Sequence, residues 1–390
     1  MQHESILIVG GGPVGATTAI SLAISGKSVT LLDSFKDDKK SDGRVLALSH
    51  ASLAFLENLG LHFKKFGTAI NKVHISHNGL GINNIDAKDI NLKHLGYTIK
   101  YADIVNILYE EMQKYPEIKL KKSLVKNVIP DTNFATVVYD YEGIEESSQD
   151  PQILKPSNII TADLVILAEG GNVKVNGINY EQYDYNQQAI IARIKIQENH
   201  NNIAYERFEN LGPIVLLPHE HEFILVWALS NTLITCGENK QLSKDQLQDM
   251  LQKLPFMKRF GQINIVGDLV NFPLKLQIAC KRVLDSVVLI GNSSQIVHPV
   301  SAQGLNLGLR DVRDLCEVLK IENTISHALL KYANIRKNDV HFVSGFTHFL
   351  AKFLEKQNPI TKCARGYGIM TLSHCKFLQN KLTNSLVFGV

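Results

Sequence analysis

Three glycines, Gly10, Gly12 and Gly15 in Gly10-Gly11-Gly12-Pro13-Val14-Gly15, stand at the G-x-G-x-x-G spacing. The chemistry of that spacing is the holding of an anion. One glycine allows a tight turn, one lets the backbone come close to a pyrophosphate, and one lets helix and strand pack closely. An apolar run, Ser5 to Val9, precedes them, and a helical stretch striped with Ala16, Ala19 and Ala23 follows. Lys27 to Leu32 reads as a second strand with Asp33 at its end. A carboxylate there, about 20 residues past the motif, can bond both ribose hydroxyls of a dinucleotide. Arg44 lies beyond the charged run Phe35 to Lys40, which reads as a solvated loop. A surface arginine is its plain explanation, but a fixed guanidinium beside such a site suits a pyrophosphate.

A second chemistry-bearing stretch runs from Val288 to Asp311. Val287 to Ile290 reads as a buried strand ending at Gly291-Asn292. His298-Pro299 mark a loop, and Gln303, Gly304 and Asn306 open a helix. Leu305, Leu309, Val312, Cys316 and Leu319 share one helical face, which must pack inward. The first turn carries no carboxylate, so its free N–H groups and dipole can receive an anionic or electron-rich group.

The elements that must position these residues follow from pattern. Ala162 to Ala168 is a further buried strand, closed by Glu169-Gly170-Gly171. Lys72 to Ser76 and Tyr97 to Lys100 read as strands flanking a polar loop, with a helix after Asp103. Ser52 to Leu59 and Leu242 to Leu254 read as helices, Val125 to Val128 and Thr136 to Tyr141 as strands. Glu142 to Asn158 reads as a long hairpin loop. Gln187 to Ile196, Tyr205 to Phe208, Ile214 to Leu217 and Phe223 to Leu229 alternate as strands of an antiparallel sheet do. The expected fold class is α/β. A discontinuous Rossmann-like domain (1–72, 98–175 and 273–335) holds the dinucleotide, and a β-rich substrate domain (73–97 and 176–272) is inserted in it. Residues 336–390 form a C-terminal helical region.

Composition narrows the function classes. At 390 residues the chain exceeds one typical core, and its net charge of +3 is too small to argue for nucleic acid. Cys236, Cys280, Cys316, Cys363 and Cys375 lie far apart without a C-x-x-C pair, which suits free thiols in a reducing compartment rather than disulfides or zinc. With no signal-peptide pattern and no long apolar run, the expectation is a cytoplasmic protein. From Val340 on, six Lys/Arg face one acid, so the tail carries +5 and the rest 3 − 5 = −2. Phe342, Phe346, Phe349, Leu350, Phe353 and Leu354 fall on one face of that basic tail. Such a helix can dock on the core, cover an opening for a greasy substrate, or lie on the inner face of an anionic membrane.

Taken together, GGGPVG, Asp42-Gly43-Arg44 with Ala47-Leu48, Ala204-Tyr205-Glu206-Arg207-Phe208, Phe272-Pro273-Leu274 and GNSSQIVHPVSAQGLNLGLRD resemble the flavoprotein aromatic hydroxylases of the para-hydroxybenzoate hydroxylase fold. Within that family they look like the ubiquinone-biosynthesis hydroxylases. Gly291-Asn292, where most members have Gly-Asp, and the Gly368-Ile369-Met370 region resemble the branch acting on 2-polyprenyl-6-methoxyphenol. The resemblance implies FAD, with NADPH or NADH as reductant and O2 as co-substrate. The ring of a polyprenylated phenol would be hydroxylated through a C4a-hydroperoxyflavin. It also implies FAD contacts at Gly10, Gly12, Pro13, Gly15, Asp33, Arg44, Glu169, Gly170, Gly291, Asn292, Gln303, Gly304 and Asn306. His298-Pro299 would lie beside the reacting face. His298 would then serve either as the base that ionises the phenol or as a ring that shapes the loop. Glu169 replaces the family's Asp, and a following serine is missing, so reduction by the nicotinamide is the feature most affected. A sibling hydroxylase acting at another ring position and a low-turnover flavin-binding scaffold are the alternatives, followed by a dehydrogenase that inserts no oxygen. Homo-oligomers and a biosynthetic assembly are compatible with the pathway.

Overall fold

Strands that read as unbroken apolar runs must be covered on both faces, and the central sheet meets that demand. In this computed structural model, which describes residues 2–34, 43–77, 81–140, 158–234, 242–300 and 303–355, five strands run parallel. Their order is Ile118–Lys122, Val29–Asp33, Gln2–Val9, Asn158–Leu167 and Val287–Leu289. Alternate residues face opposite ways, as a strand dictates. Ile6, Ile8, Leu31, Leu164, Ile166, Val288 and Ile290 pack against the helices Pro13–Ile24, Tyr101–Met112 and Gly304–Ile321. Leu7, Val9, Leu32, Val165, Leu167, Val287 and Leu289 face the other side. There they meet Val128, Val137 and Tyr139 from the strands Leu124–Ile129 and Ala135–Asp140. Sequence pattern missed Ile118–Lys122. It is an edge strand with lysines, Ile118 buried and Leu120 exposed, which weakens the apolar signal.

The second sheet has eight strands, in the order Gln295–Ile296, Ile263–Ala279, Tyr180–Ile196, Glu222–Ser230, Gly212–His219, Ile203–Glu209, Lys72–His77 and Ile82–Asp86. All neighbours are antiparallel except Ile203–Glu209 with Lys72–His77. One face, bearing Ile190, Leu216, Leu225 and Trp227, is covered by Leu247 and Leu251 of the helix Lys244–Gln252 and by Phe256 and Phe260. The other face carries Ala189, Ala204, Phe208, Val215 and Ala228, and turns towards the cofactor domain and the C-terminal helix. The expected polar loop after Ser76 is corrected: Ile82–Asp86 is a strand, pairing Ile85 with Val73. Its buried side chains are few, so periodicity did not betray it. Ile263–Ala279 runs unbroken through the expected domain cut at 272/273, and Gly96–Lys100 through that at 97/98.

Gly304–Ile321 packs against the long helix Ile325–Glu355. That helix docks on the core, one of its expected placements, with Val340, Val343, Ser344, Thr347 and Ala351 and not with its phenylalanines. The Ser344 and Thr347 hydroxyls bond carbonyls one turn back, so a face of small residues can lie close to its neighbours. Phe342 and Phe349 remain 38% and 58% exposed, and Phe342 stacks on Phe346 and Phe349 on Phe353. Leu350 instead packs with Phe208 and Ile75. Among the described residues no helix is long and apolar enough to cross a membrane, and no cluster could hold a metal ion. Cys280 and Cys316 are free thiols. Asp42, the 142–157 loop, Cys236, Cys363, Cys375, the 368–370 region and the basic residues after Lys352 lie outside the described residues.

Candidate active site

The parallel strands deliver the predicted residues to one edge, at their carboxyl ends, where open α/β sheets bind ligands. Gly10 has φ +101°, and a Cβ there would sit 2.5 Å from the Glu169 Cα. A Cβ on Gly15 would meet the Gly10 carbonyl at 1.8 Å, so only glycine permits the helix to leave the strand at this angle. Gly12 differs: the nearest atom to an added Cβ is the Tyr101 hydroxyl at 3.9 Å. That open space faces the start of Pro13–Ile24, which has no side-chain cap and no acid in its first turn. Pro13 at the first helical position lacks the N–H that would have had no partner there. Asp33 is buried at the end of its strand and accepts the Gly11 N–H on one carboxylate oxygen. Arg44 lies over the Tyr101 ring, 5.0 Å from its centroid, so the guanidinium and the Gly12 opening share one neighbour.

The second glycine loop closes on the first. Gly291 has φ +59°, and added Cβ atoms on Gly291 and Gly308 would meet Val14 at 3.2 and 2.7 Å. The Gly291 N–H donates to Asp311 Oδ2 at 2.9 Å. Asn292 points its side chain to the exposed side. Gly304 is open to any added Cβ, and the helix it begins has no side-chain cap. Leu307 makes the first recorded bond of that helix, to the Gln303 carbonyl. The first turn of a helix is where backbone N–H groups can meet a ligand. The Asn306 side chain is already engaged: Oδ1 accepts from Ser49 N and Ser52 Oγ at 2.9 and 2.8 Å, and Nδ2 donates to the Ala47 carbonyl. It fixes this helix to the strand Val45–Ser49 and the helix His50–Asn58.

Glu169 is turned into its own loop. Its Oε1 accepts the N–H groups of Gly171, Asn172 and Val173 at 2.8 to 3.1 Å, while the Glu169 N–H donates to Ser293 Oγ. The Tyr180 hydroxyl donates to the Ser293 carbonyl, and burial, then the Glu169 charge, pushes that phenol up to about 12. Gly170 has φ +101° with open space around it.

His298 is almost fully buried. Its Nδ1 is 3.3 Å from the Val300 N–H and its Nε2 is 3.4 Å from Gln187 Oε1. Val300 donates, so Nε2 carries the ring proton. Burial pulls His298 down to about 4. A neutral ring whose lone pair is engaged suits shaping the loop, not ionising a phenol. Beside it, Tyr185 lies edge-on at 5.0 Å and bonds His348 Nδ1 at 2.9 Å. Tyr183 and Lys352 extend the wall. Sequence reading missed Tyr101, Gln187, Tyr185 and His348, because each acquires its role through a contact far along the chain.

The residues present fit a flavin adenine dinucleotide: an opening at Gly12, two uncapped helix starts, a ribose-level carboxylate and an exposed amide. A family model described as "FAD binding domain" matches residues 3–341. The 3-demethoxyubiquinol 3-hydroxylase of Escherichia coli (strain K12) is 27% identical over 407 residues, covering 97% of each chain. Ubiquinone hydroxylase UbiM of Neisseria meningitidis is 27% identical over 98% of this chain and 84% of its own. Among solved structures, p-nitrophenol 4-monooxygenase PnpA from Pseudomonas putida DLL-E4 has the same fold, with a TM-score of 0.76 at 16% identity over 99% of this chain and 98% of that one.

Proposed function

From the FAD binding domain family, to which this chain belongs, we propose an FAD-dependent monooxygenase that hydroxylates the ring of a polyprenylated methoxyphenol in ubiquinone biosynthesis, using NAD(P)H and O2. The observation that carries it is an apolar sheet face set opposite the cofactor loops. Ala189, Val215, Ala228 and Leu274 lie on that face, with Ala351 and Leu350 of the C-terminal helix against it. Relatives of nearly equal length named as ubiquinone hydroxylases support the substrate class. In this reading 1–72, 98–175 and 273–335 carry the cofactor, and 73–97 and 176–272 the substrate.

When bound, FAD supplies electron transfer from the nicotinamide and activation of O2. The chain's own residues do the rest. Gly10, Gly12, Pro13, Gly15 and Arg44 receive the pyrophosphate, and Asp33 the ribose. Gly170, Gly291 and Asn292 border the ribityl chain, with Glu169 holding its loop. The positive end of the helix Gly304–Ile321, behind Gln303, would favour the negative charge that reduction adds to the ring. His298-Pro299 and Tyr185 wall the chamber and exclude water. Tyr185 is held in that wall by its bond to His348 Nδ1, and burial keeps its phenol protonated.

The test is product analysis with FAD, NADPH, 18O2 and a short-chain prenylated methoxyphenol. One 18O atom in a hydroxylated ring is expected, and its position separates this reading from a sibling that acts elsewhere on the ring. NADPH oxidation with no labelled product would contradict it. The relative named as a 3-hydroxylase of 3-demethoxyubiquinol gives the sibling reading its specific support.

A further inference from the structure

The geometry points to Asp339, on the C-terminal helix, as a positioning residue for the flavin site, acting through Arg310 on Gln303. Arg310 lies on the helix whose start faces the cofactor. Its Nη2 donates to Gln303 Oε1 at 2.8 Å and its Nη1 to Asp339 Oδ1 at 2.9 Å. One planar guanidinium thus joins the residue that opens the cofactor helix to a carboxylate on the C-terminal helix, 29 positions beyond Arg310.

A second link runs alongside. Arg336 donates to Asp339 Oδ2 at 2.6 Å, to Asp314 Oδ2 at 3.1 Å and to Asp311 Oδ1 at 2.7 Å. The other oxygen of Asp311 accepts the Gly291 N–H and the Gln295 amide. Both loops proposed to border the flavin are therefore tied, each through one guanidinium and one aspartate, to the same turn of the C-terminal helix. Arg282, Arg310, Arg313 and Arg336 face Asp311, Asp314 and Asp339 in one cluster of ion pairs. The Arg310–Asp339 pair is 4% and 2% exposed. Removing one member of such a pair leaves a buried charge uncompensated. Here that charge is a cation bonded to the residue at the helix start.

Two consequences follow for Asp339→Asn, which keeps the shape of the side chain and removes its charge. Arg310 loses the charged partner that fixes it against Gln303, so the cofactor loop loosens and FAD binds less tightly. The less compensated Arg310 favours the extra negative charge of a reduced flavin, so the midpoint potential rises.

This rests on the flavin reading, and the experiment separates the two. FAD affinity is measured by titrating stripped protein, and the midpoint potential by equilibration with a reference dye. The unmodified chain, D339N and D314N are compared, since Asp314 contacts Arg336 but not Arg310. D339N is expected to weaken FAD binding tenfold or more and to raise the potential. D314N is expected to leave affinity within twofold. Unchanged affinity and potential in D339N, or equal effects from D314N, would overturn the proposal. If D339N does not fold, R310K serves instead. A lysine keeps the cation but not the fork that joins Gln303 to Asp339, so the same loss of affinity is expected and unchanged affinity contradicts the proposal. An unmodified chain that takes up no FAD would sink the cofactor reading itself, and this inference with it.

Discussion

Two glycines of one motif carry opposite loads. An alanine methyl at position 15 would press on the Gly10 carbonyl, whereas one at position 12 meets only the Tyr101 hydroxyl at van der Waals distance. Gly15→Ala is expected to destabilise the fold by about 1–3 kcal/mol or more. Gly12→Ala should leave the melting temperature of the FAD-free protein nearly unchanged and weaken FAD binding at least tenfold. Melting curves with FAD titration check both, and equal behaviour of the two variants would contradict the assignment. His298 gives a second test at this scale. Its ordinary value of 6.5 falls to about 4 in the fold, so the unfolded chain binds more protons between those two values. The neutral ring's contribution is full above pH 6.5 and is lost as pH falls through 4. His298→Gln should remove up to about 3 kcal/mol of that dependence. Parallel melting-temperature profiles for the two proteins would refute it. The motif glycines and Asp33 were legible because their job is local. The state of His298 was not, since burial under side chains distant in the sequence sets it.

Among elements, the helix Gly304–Ile321 is the part best read from sequence. Its apolar face at Leu309, Val312, Cys316 and Leu319 is buried as the spacing requires. What anchors its start was not readable, because Asn306 finds Ala47, Ser49 and Ser52 more than 250 positions earlier. Asn306→Ala removes all three bonds from a buried site and should cost about 2–4 kcal/mol, with weaker FAD binding as the helix start loosens. Urea denaturation followed by FAD titration measures both. A loss below about 0.5 kcal/mol would show that Asn306 is not the anchor. Edge strands Ile118–Lys122 and Ile82–Asp86 escaped pattern reading for a different reason. With one neighbour and few buried side chains, they carry little hydrophobic period.

For the whole molecule, the C-terminal helix joins the two sheets functionally. It packs on the helix Gly304–Ile321 through buried ion pairs and reaches the apolar face of the second sheet through Leu350 and Ala351. Its amphipathic character was legible. Which face docks was not, since close packing favoured small residues over phenylalanines. The outward pair Phe342 and Phe349 would suit a membrane surface, where the proposed polyprenyl substrate would reside. Phe342→Ser with Phe349→Ser should lower binding to anionic liposomes several-fold without changing the melting temperature or the flavin content. Unchanged liposome binding would remove the membrane role from this face.

The proposed reaction requires a flavin held opposite the second sheet and reduced by a nicotinamide despite Glu169. The most direct measurement is stopped-flow anaerobic reduction of the FAD-loaded protein by NADPH, with and without a prenylated methoxyphenol. Bleaching of the oxidised flavin that accelerates when the phenol is present is the expected result. A flavin that stays oxidised under both conditions would contradict the account and favour a binding scaffold.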